Sequence, residues 1–474
     1  MQIIDKIYID GAFVTPHGEE YFDLFNPATE AVIGRVRLAD EADANAAVAA
    51  AKRAFPAFSR TTKAERIDML MGLHEAVVAS EDALFEAIVE EYGAPVSRGR
   101  WMAQHASNVL RDAAKVLEGY AFTRRAGTAE VTMQPLGVAG LITPWNSDAG
   151  FICGKLAAAL AAGCTAVIKP SEMSAIQTRI VTEALHRAGL PAGVFNIVTG
   201  RGDTVGARIA VHPDVAKISF TGSTAVGKTI LRSAAETLKR VTLELGGKSP
   251  VIVLDDAHFD EAVPLALQAG FMNNGQACIA GTRILVPQSR QADFEARVVE
   301  AVAQIQAGDP RDARTSVGPM VSQKQWERVQ RYIRIGMDEG ARVIAGGAGR
   351  PESIESGWFV RPTVFSDVTN DMTIAREEIF GPVLSIIAYR DTEHAIEIAN
   401  DTRYGLQAYV LSADIERARR VASQIEAGRV LINTLAHEPA APFGGFKQSG
   451  IGRDKSLHAL EKYTELKTTW LDLS

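Results

Sequence analysis

The chain has 474 residues, 47% hydrophobic and 23% charged, an ordinary soluble balance in a protein too long for one compact core, so two or three domains are expected. A net charge of −7, a pI near 5.8 and the lack of an extended Lys/Arg run exclude a broad nucleic-acid surface. The three cysteines, Cys153, Cys164 and Cys278, are too widely spaced for a disulfide framework or a metal cluster and fit a reducing, cytoplasmic compartment.

In chain order, residues 1–36 (KIYIDGAF, FDLFNPATEAVIGRV) read as short strands and turns. The acidic start MQIIDKIYIDGAF has no apolar core and does not read as a signal peptide. Residues 40–118 read as helices. Asp40 can cap EADANAAVAAAKRAF, and TTKAERIDMLMGLHEAVVA follows with apolar residues at spacings of three and four. From 120 to 135 the sequence alternates around Gly127 and Thr128, which predicts a hairpin able to stand apart and pair with a partner chain. Short apolar strands then alternate with amphipathic helices: GVAGLITPW, AGFICGKLAAALAAG stopped at Gly163, TAVIKP, SAIQTRIVTEALHRAG stopped at Gly189, a helix at 203–211, AKISFTG, STAVGKTILRSAAE and RVTLELGG. That order predicts a parallel sheet with right-handed crossovers. A second α/β region runs from KSPVIVLDD to about residue 434, and the tail ALEKYTELKTTWLDLS reads as a strand able to join the hairpin. No apolar stretch approaches the roughly 18 residues of a membrane span.

Several short runs carry chemical promise. In FMNNGQACIAG, Cys278 sits among small and amide residues, room for a substrate beside a thiolate able to attack a carbonyl carbon. Cys153 and Cys164 lie in Ala-rich or turn contexts and read as structural. Asn146 closes an apolar strand in TPWN. Its amide could donate to an oxyanion together with the Cys278 N–H, or cap the next helix. Glu244 in VTLELGGKSP is an acid within an apolar strand. It reads either as a raised-pKa base for water or as a charge on an edge strand. No GxGxxG follows the first strand. Instead ISFTGSTAVGK places Gly222, Ser223 and Gly227 across a strand-to-helix turn, where N–H groups can hold phosphate. VIKPSE ends a strand with Lys169 and Glu172. Lys169 can bond ribose hydroxyls, and Glu172 can bind a free 2′-hydroxyl while repelling a 2′-phosphate, favouring NAD over NADP.

PWN, IKPSE, FTGSTAVG, LELGGKSP, GQACIAGTR, GDPRD with VGPM, EEIFGPV and PFGGFKQSGIGR occur in this order, and with them the sequence between residues 20 and 470 resembles the NAD(P)-dependent aldehyde dehydrogenase superfamily. The resemblance implies an α/β fold: a Rossmann-type dinucleotide-binding domain (1–119 and 138–245), an α/β catalytic domain (246–450) and a β oligomerisation arm (120–137 and 451–474), in a homodimer or homotetramer. It also implies oxidation of a small-molecule aldehyde to the acid with NAD, NADP remaining possible, and no metal, membrane or nucleic-acid partner. Cys278 would form a thiohemiacetal and then a thioester, Asn146 would hold the oxyanion, Glu244 would activate water, and Lys169 and Glu378 would hold the two riboses. Ile142, Trp145, Ser171, Glu172, Gly202, Gly206, Phe220, Thr221, Gly222, Ser223, Val226, Leu245 and Phe380 would line the cofactor.

Phe151, Ala277, Ile279, His437 and Phe443 would line the substrate. Where many relatives carry an aromatic residue and a proline after PWN, this chain has Ser147 and Asp148, expected to alter the tunnel wall, with Phe151 as a replacement aromatic. His437 and Glu438 could face the tunnel mouth or solvent. The tail GRDKSLHALEKYTELKTTW is similar to that of dehydrogenases acting on amine-derived aldehydes such as γ-glutamylaminobutyraldehyde or guanidinobutyraldehyde, and PWNSDAGF looks like bacterial members handling general or aromatic aldehydes. A phosphorylated substrate would want Arg or Lys at the tunnel, and none stands at 147–151 or 434–441. The alternatives are a CoA-acylating semialdehyde dehydrogenase, which usually lacks the acid context of Glu244, and a non-catalytic binding protein on the same fold.

Overall fold

The computed structural model describes residues 2–470, so the last four residues of the tail lie outside the described residues. The first α/β region is built on an eight-stranded sheet. Five strands run parallel in the order Arg240–Glu244, Val215–Thr221, Val138–Ile142, Thr165–Lys169 and Phe195–Ile197. The N-terminal hairpin Ile7–Ile9 and Ala12–Val14 extends one edge antiparallel. Gly450–Ile451 covers the other edge antiparallel against Leu243 and Glu244. Glu244 therefore does not stand on an edge strand, and the exposed-charge alternative for it falls away.

Local chemistry sets the helix boundaries. Asp40 and Asp43 form a reciprocal capping box on the helix Glu41–Phe58, and Thr62 and Glu65 form one on Lys63–Val78. The helix Asp148–Ala162 stops at Gly163, whose φ of +89° costs a glycine little. The segment read as a helix at 203–211 is instead a π turn, Gly202–Gly206, leading into a short helix, Ala207–Val211. The core around these elements is dense with small residues. Cys153 and Cys164 lie fully buried within it, as their contexts suggested.

The second region has a seven-stranded sheet in the order Arg342–Ala345, Thr363–Ser366, Val383–Tyr389, Arg283–Pro287, Pro250–Val253, Gln407–Leu411 and Arg429–Ile432, parallel except for its first strand. The hairpin Thr123–Ala126 with Ala129–Pro135 forms a separate three-stranded sheet with the tail strand Thr464–Trp470, which pairs antiparallel along the whole of Ala129–Pro135. No helix among the described residues is long and apolar enough to cross a membrane.

Strand register positions the site. In the first sheet Ile142 pairs with both Lys169 and Phe220, and Thr221 pairs with Glu244. These residues therefore share one line across the carboxyl ends of four adjacent parallel strands, the edge where open α/β sheets place ligands.

Candidate active site

The helix Phe259–Phe271 breaks just before the cysteine segment. Asn273, Asn274 and Gly275 follow with φ of 54°, 60° and 70°, three consecutive left-handed residues of the types that tolerate this conformation. At Gly275 a Cβ would lie 2.2 Å from the Gly381 carbonyl carbon, so glycine is required there by contact as well as by φ. The amide side chains before the sulfur fasten the loop. Asn274 accepts from Gly318 N (2.7 Å) and donates to Gly93 O (3.1 Å) and Pro319 O (3.2 Å). Gln276 accepts from Val321 N (3.0 Å) and donates to the Tyr92 hydroxyl (3.3 Å). The room for a ligand lies beyond them, where Ala277, Cys278 and Ile279 are half-buried while residues 273–276 are buried.

Asn146 is tied to this loop in both directions. Its Nδ2 donates to Gln276 O at 2.9 Å, and its carbonyl accepts from Asn273 Nδ2 at 3.0 Å. The side chain does not cap the following helix, whose N-cap position is Ser147. A side-chain amide carries two donor hydrogens, so Asn146 can still offer one N–H beside Cys278. Burial, then the neighbouring Glu378 and Glu244 carboxyls, push the Cys278 thiol up to about 12, while the Cys278 and Ile279 N–H groups oppose that shift.

Glu244 ends its strand with both carboxyl oxygens buried and unpartnered. Burial, then Asp454, hold the carboxyl well above the ordinary range, against the pull of Lys155 and Arg453. Lys155 donates instead to Ser219 Oγ and Asp454 Oδ2, each at 2.9 Å, and the Asp454 N–H bonds Phe443 O. Gly246 and Gly247 follow. A Cβ at Gly247 would stand 2.3 Å from Cys278 O, and one at Gly246 would stand 2.4 Å from Glu378 Oε2. The paired glycines thus let Cys278 and Glu378 close on the same backbone, and Gly247 N donates to Glu378 Oε1 at 3.0 Å. Burial lifts the Glu378 carboxyl to about 7. Phe380, with φ of 63°, meets Trp145 edge-on at 5.4 Å.

The expected cofactor residues gather along the same strand ends. Lys169 Nζ bonds Glu172 Oε2 at 3.2 Å, Ser171 caps the turn behind Glu172, and Gly206 comes within 3.7 Å of the Lys169 stem as judged from its Cβ position, whereas Gly202 faces open space. Ser223 caps the helix Thr224–Ala235 by accepting from Val226 N, and Val226 itself is exposed. A Cβ at Gly222 would lie 2.4 Å from the Phe220 ring and one at Gly227 2.6 Å from Leu245, so these glycines serve close packing beneath the turn. The Thr221 hydroxyl is buried without a partner.

A family model described as "Aldehyde dehydrogenase family" matches residues 13–469. This chain belongs to the aldehyde dehydrogenase family. It is 45% identical, over 98% of its length and 97% of the relative's, to a 3-succinoylsemialdehyde-pyridine dehydrogenase from a Pseudomonas species. Among solved structures it superposes with a TM-score of 0.97 on a cysteine-to-alanine variant of aldehyde dehydrogenase C from Pseudomonas syringae in complex with NAD+ and octanal, at 45% identity covering 98% of this chain and 96% of that one. It superposes with a TM-score of 0.95 on the NAD+ complex of an aldehyde dehydrogenase from Bacillus cereus, at 40% identity covering 99% and 97%.

The other wall of this aldehyde dehydrogenase departs from the sequence reading. Asp148 does not line the tunnel. It is fully buried, accepts from Thr178 Oγ1 (2.8 Å) and lies near Lys169. Gly150 packs toward His105 of the helix Val96–Glu118, where a Cβ on it would come within 3.1 Å of both the ring and Ser147 Oγ. Phe151 is half-buried on the helix that follows. His437 is exposed yet bonded to Arg429 Nη2 at 2.6 Å, while Glu438 turns its carboxylate to Ala440 N. Arg429 and Lys455 lie 5.4 and 5.8 Å from the centre of the Phe443 ring. Arg and Lys are absent at 147–151 and 434–441, and the cations beside Phe443 come from other segments. Arg98, Trp101 and His105 were missed as well, although their spacing of three and four places them on one helix face.

Proposed function

We propose that this chain oxidises an aldehyde to the carboxylic acid with NAD as hydride acceptor and with water, not CoA, releasing the product. The observation that carries the reading is the meeting of three groups: a half-exposed Cys278, an Asn146 amide tied to the Cys278 loop with a donor to spare, and a Glu244 carboxyl left buried and unpartnered. In the reaction the Cys278 sulfur, as thiolate, forms a bond to the aldehyde carbon. Asn146 Nδ2 and the Cys278 N–H receive the oxyanion of the resulting thiohemiacetal. A bound NAD would supply the hydride acceptor, and loss of hydride from that carbon leaves a thioester on Cys278. Glu244, once ionised, takes a proton from water. The hydroxide adds to the thioester carbonyl, and the carbon–sulfur bond breaks to return the thiolate and free the acid.

The residues present suit a dinucleotide. Thr221 Oγ1 is a buried hydroxyl without a partner beside the Ser223 turn, and Val226 offers an exposed apolar face on the first turn of its helix. Lys169, Glu172 and Glu378 would hold ribose hydroxyls, with Phe380 and Trp145 packing at the nicotinamide end. The Lys169–Glu172 pair favours a free 2′-hydroxyl over a phosphate. The sheet formed by the hairpin and the tail strand would serve as the oligomerisation arm.

The deciding assay follows NADH formation by purified protein with NAD or NADP, a panel of aliphatic, aromatic, ω-amino and acid-bearing aldehydes, and CoA present or absent. NADH formation without CoA, abolished by Cys278→Ala, is expected. Turnover only with CoA would place the chain in the acylating branch.

A further inference from the structure

We propose that the aldehyde taken by this chain carries an anionic group, a carboxylate or a phosphate, at the end remote from its carbonyl, and that Arg98, Arg429 and Lys455 receive it. The inference rests on the reading of Cys278 as the nucleophile. The three cations come from distant parts of the chain: the helix Val96–Glu118, the strand Arg429–Ile432 and the turn before the helix Ser456–Glu461. Arg429 and Lys455 flank one aromatic ring, Phe443. Arg98 lies 4.0 Å over Trp101, which stacks on His105 at 4.8 Å and 12°. Cys278 lies close enough that its thiolate favours the charged forms of both Arg429 and Lys455. Arg429 and Lys455 thus lie within electrostatic reach of the sulfur.

These charges have no close acidic partner of their own, although Asp454 and Asp112 favour the charged form of Lys455 from a distance. Among the described residues none of the three forms an ion pair. The nearby acids are otherwise engaged: Asp112 pairs with Arg111 at 3.5 Å, Asp454 with Lys155 at 2.9 Å, and Glu438 bonds Ala440 N. The neighbouring imidazoles add no charge at neutral pH: burial first, then Lys455 and Arg98, push His105 down to about 3, and loss of surrounding water together with the adjoining Arg429 and Lys455 lowers His437, although its surface still reaches solvent. His437 can therefore accept from Arg429 and hold that guanidinium in place. Gathering three like charges partly out of water is unfavourable unless an anion joins them. A substrate anion supplies the missing charge.

The test compares aldehydes of matched length with and without the anion: succinic semialdehyde against pentanal, glutaric semialdehyde against hexanal, para-carboxybenzaldehyde against para-tolualdehyde, and glyceraldehyde phosphate against glyceraldehyde. The charged member of at least one carboxylate or phosphate pair is expected to win in kcat/KM by about tenfold or more, with a KM that rises with salt. Lys455→Met and Arg429→Gln should collapse that ratio about tenfold, mainly through KM, while Lys455→Arg should keep it. Binding of glutarate and of inorganic phosphate to the NAD-loaded protein, read by calorimetry, needs no turnover. Binding that Lys455→Met abolishes supports the anion site even if no aldehyde is oxidised, an outcome that would sink the catalytic reading alone. Ratios near one in every pair, variants that slow both members equally, or no binding of either anion would overturn the proposal.

Discussion

On the side of Cys278 proposed to hold the cofactor, the wall consists of the ends of four adjacent parallel strands, and each feature sits within a few residues of its neighbour: Lys169 with Glu172, Thr221 with Ser223, Glu244 with Gly246 and Gly247. The proposed anion site instead draws on a helix near residue 100, a strand near 430 and the turn at 455, and nothing in the local sequence of any one of them announces the other two. Backbone register holds the first wall rigid. Side chains build the second, through ring stacking and charge. Changes in the first wall should therefore act alike on every aldehyde, whereas changes in the second should depend on the substrate's charge.

Removing the nucleophile is the hardest test of that division. Cys278→Ala should lower NADH formation at least about 10⁴-fold for every aldehyde in the panel, while nucleotide binding measured by calorimetry persists. A variant that kept activity with one class of aldehyde would break the contrast. Glu244→Gln should slow steady turnover by about 10²–10⁴-fold and leave a burst of NADH, about one per site, as the thioester accumulates. The pH profile sharpens this. Burial holds the Glu244 carboxyl above its ordinary range, and only the ionised form can take a proton from water. The wild-type rate should rise as pH passes upward through that ionisation, and the glutamine variant should lose that limb. Asn146→Ala should reduce kcat by about 10²–10³-fold, again for charged and neutral aldehydes alike.

These expectations divide along what the sequence made visible. The alternation of strands and helices, the hairpin and the strand-end motifs were readable because each is a local pattern: an apolar run, a stop at glycine, a polar residue at a strand's carboxyl end. Cys278, Asn146 and Glu244 stood out because each breaks such a pattern. The direction of Asp148 was not readable. A polar residue after PWN looked like part of the tunnel wall, yet the helix start turns it inward to Thr178. The three cations were hidden for a different reason. Their only common property is where the fold brings them, and although Lys455 lies just past PFGGFKQSGIGR, nothing local links it to Arg98 or Arg429. The amides of NNGQAC were noticed for the wrong purpose, since they brace the loop against Gly318, Pro319 and Val321.

That bracing gives a smaller prediction on the rigid side. Gly275→Ala places a Cβ 2.2 Å from the Gly381 carbonyl carbon at a φ of 70°. The left-handed conformation alone disfavours alanine by about 1–2 kcal/mol, and the contact adds to that. The midpoint of thermal unfolding should fall, and kcat should fall with it because Cys278 and Phe380 both move with this contact. A stable, fully active alanine variant would mean that the two loops are not pressed together in solution.

The smallest effect concerns Asp148, buried near Lys169 and bonded to Thr178. Burial is the main cause that lifts its carboxyl to about 7 from an ordinary 3.8, opposed by the Thr178 bond, Lys169, the Ser171 N–H and Thr143. Across that window the folded protein holds a proton that the unfolded chain has released. This group's contribution to stability is therefore present in full below about pH 4 and declines by up to about 1.4 kcal/mol per pH unit toward pH 7. Asp148→Asn removes the titration. The wild type's thermal midpoint, measured against that of the variant, should be most favourable near pH 4 and lose ground as the pH rises to 7. Above that range Asp148 is ionised beside Lys169, so the variant should also show an NAD KM raised by about two- to threefold at high pH and little changed at low pH. A pH-independent difference between the two proteins would mean that Asp148 stays ionised in the folded state. It would then act as a fixed counter-charge to Lys169, and the core beneath the cofactor wall would be more polar than its burial suggests.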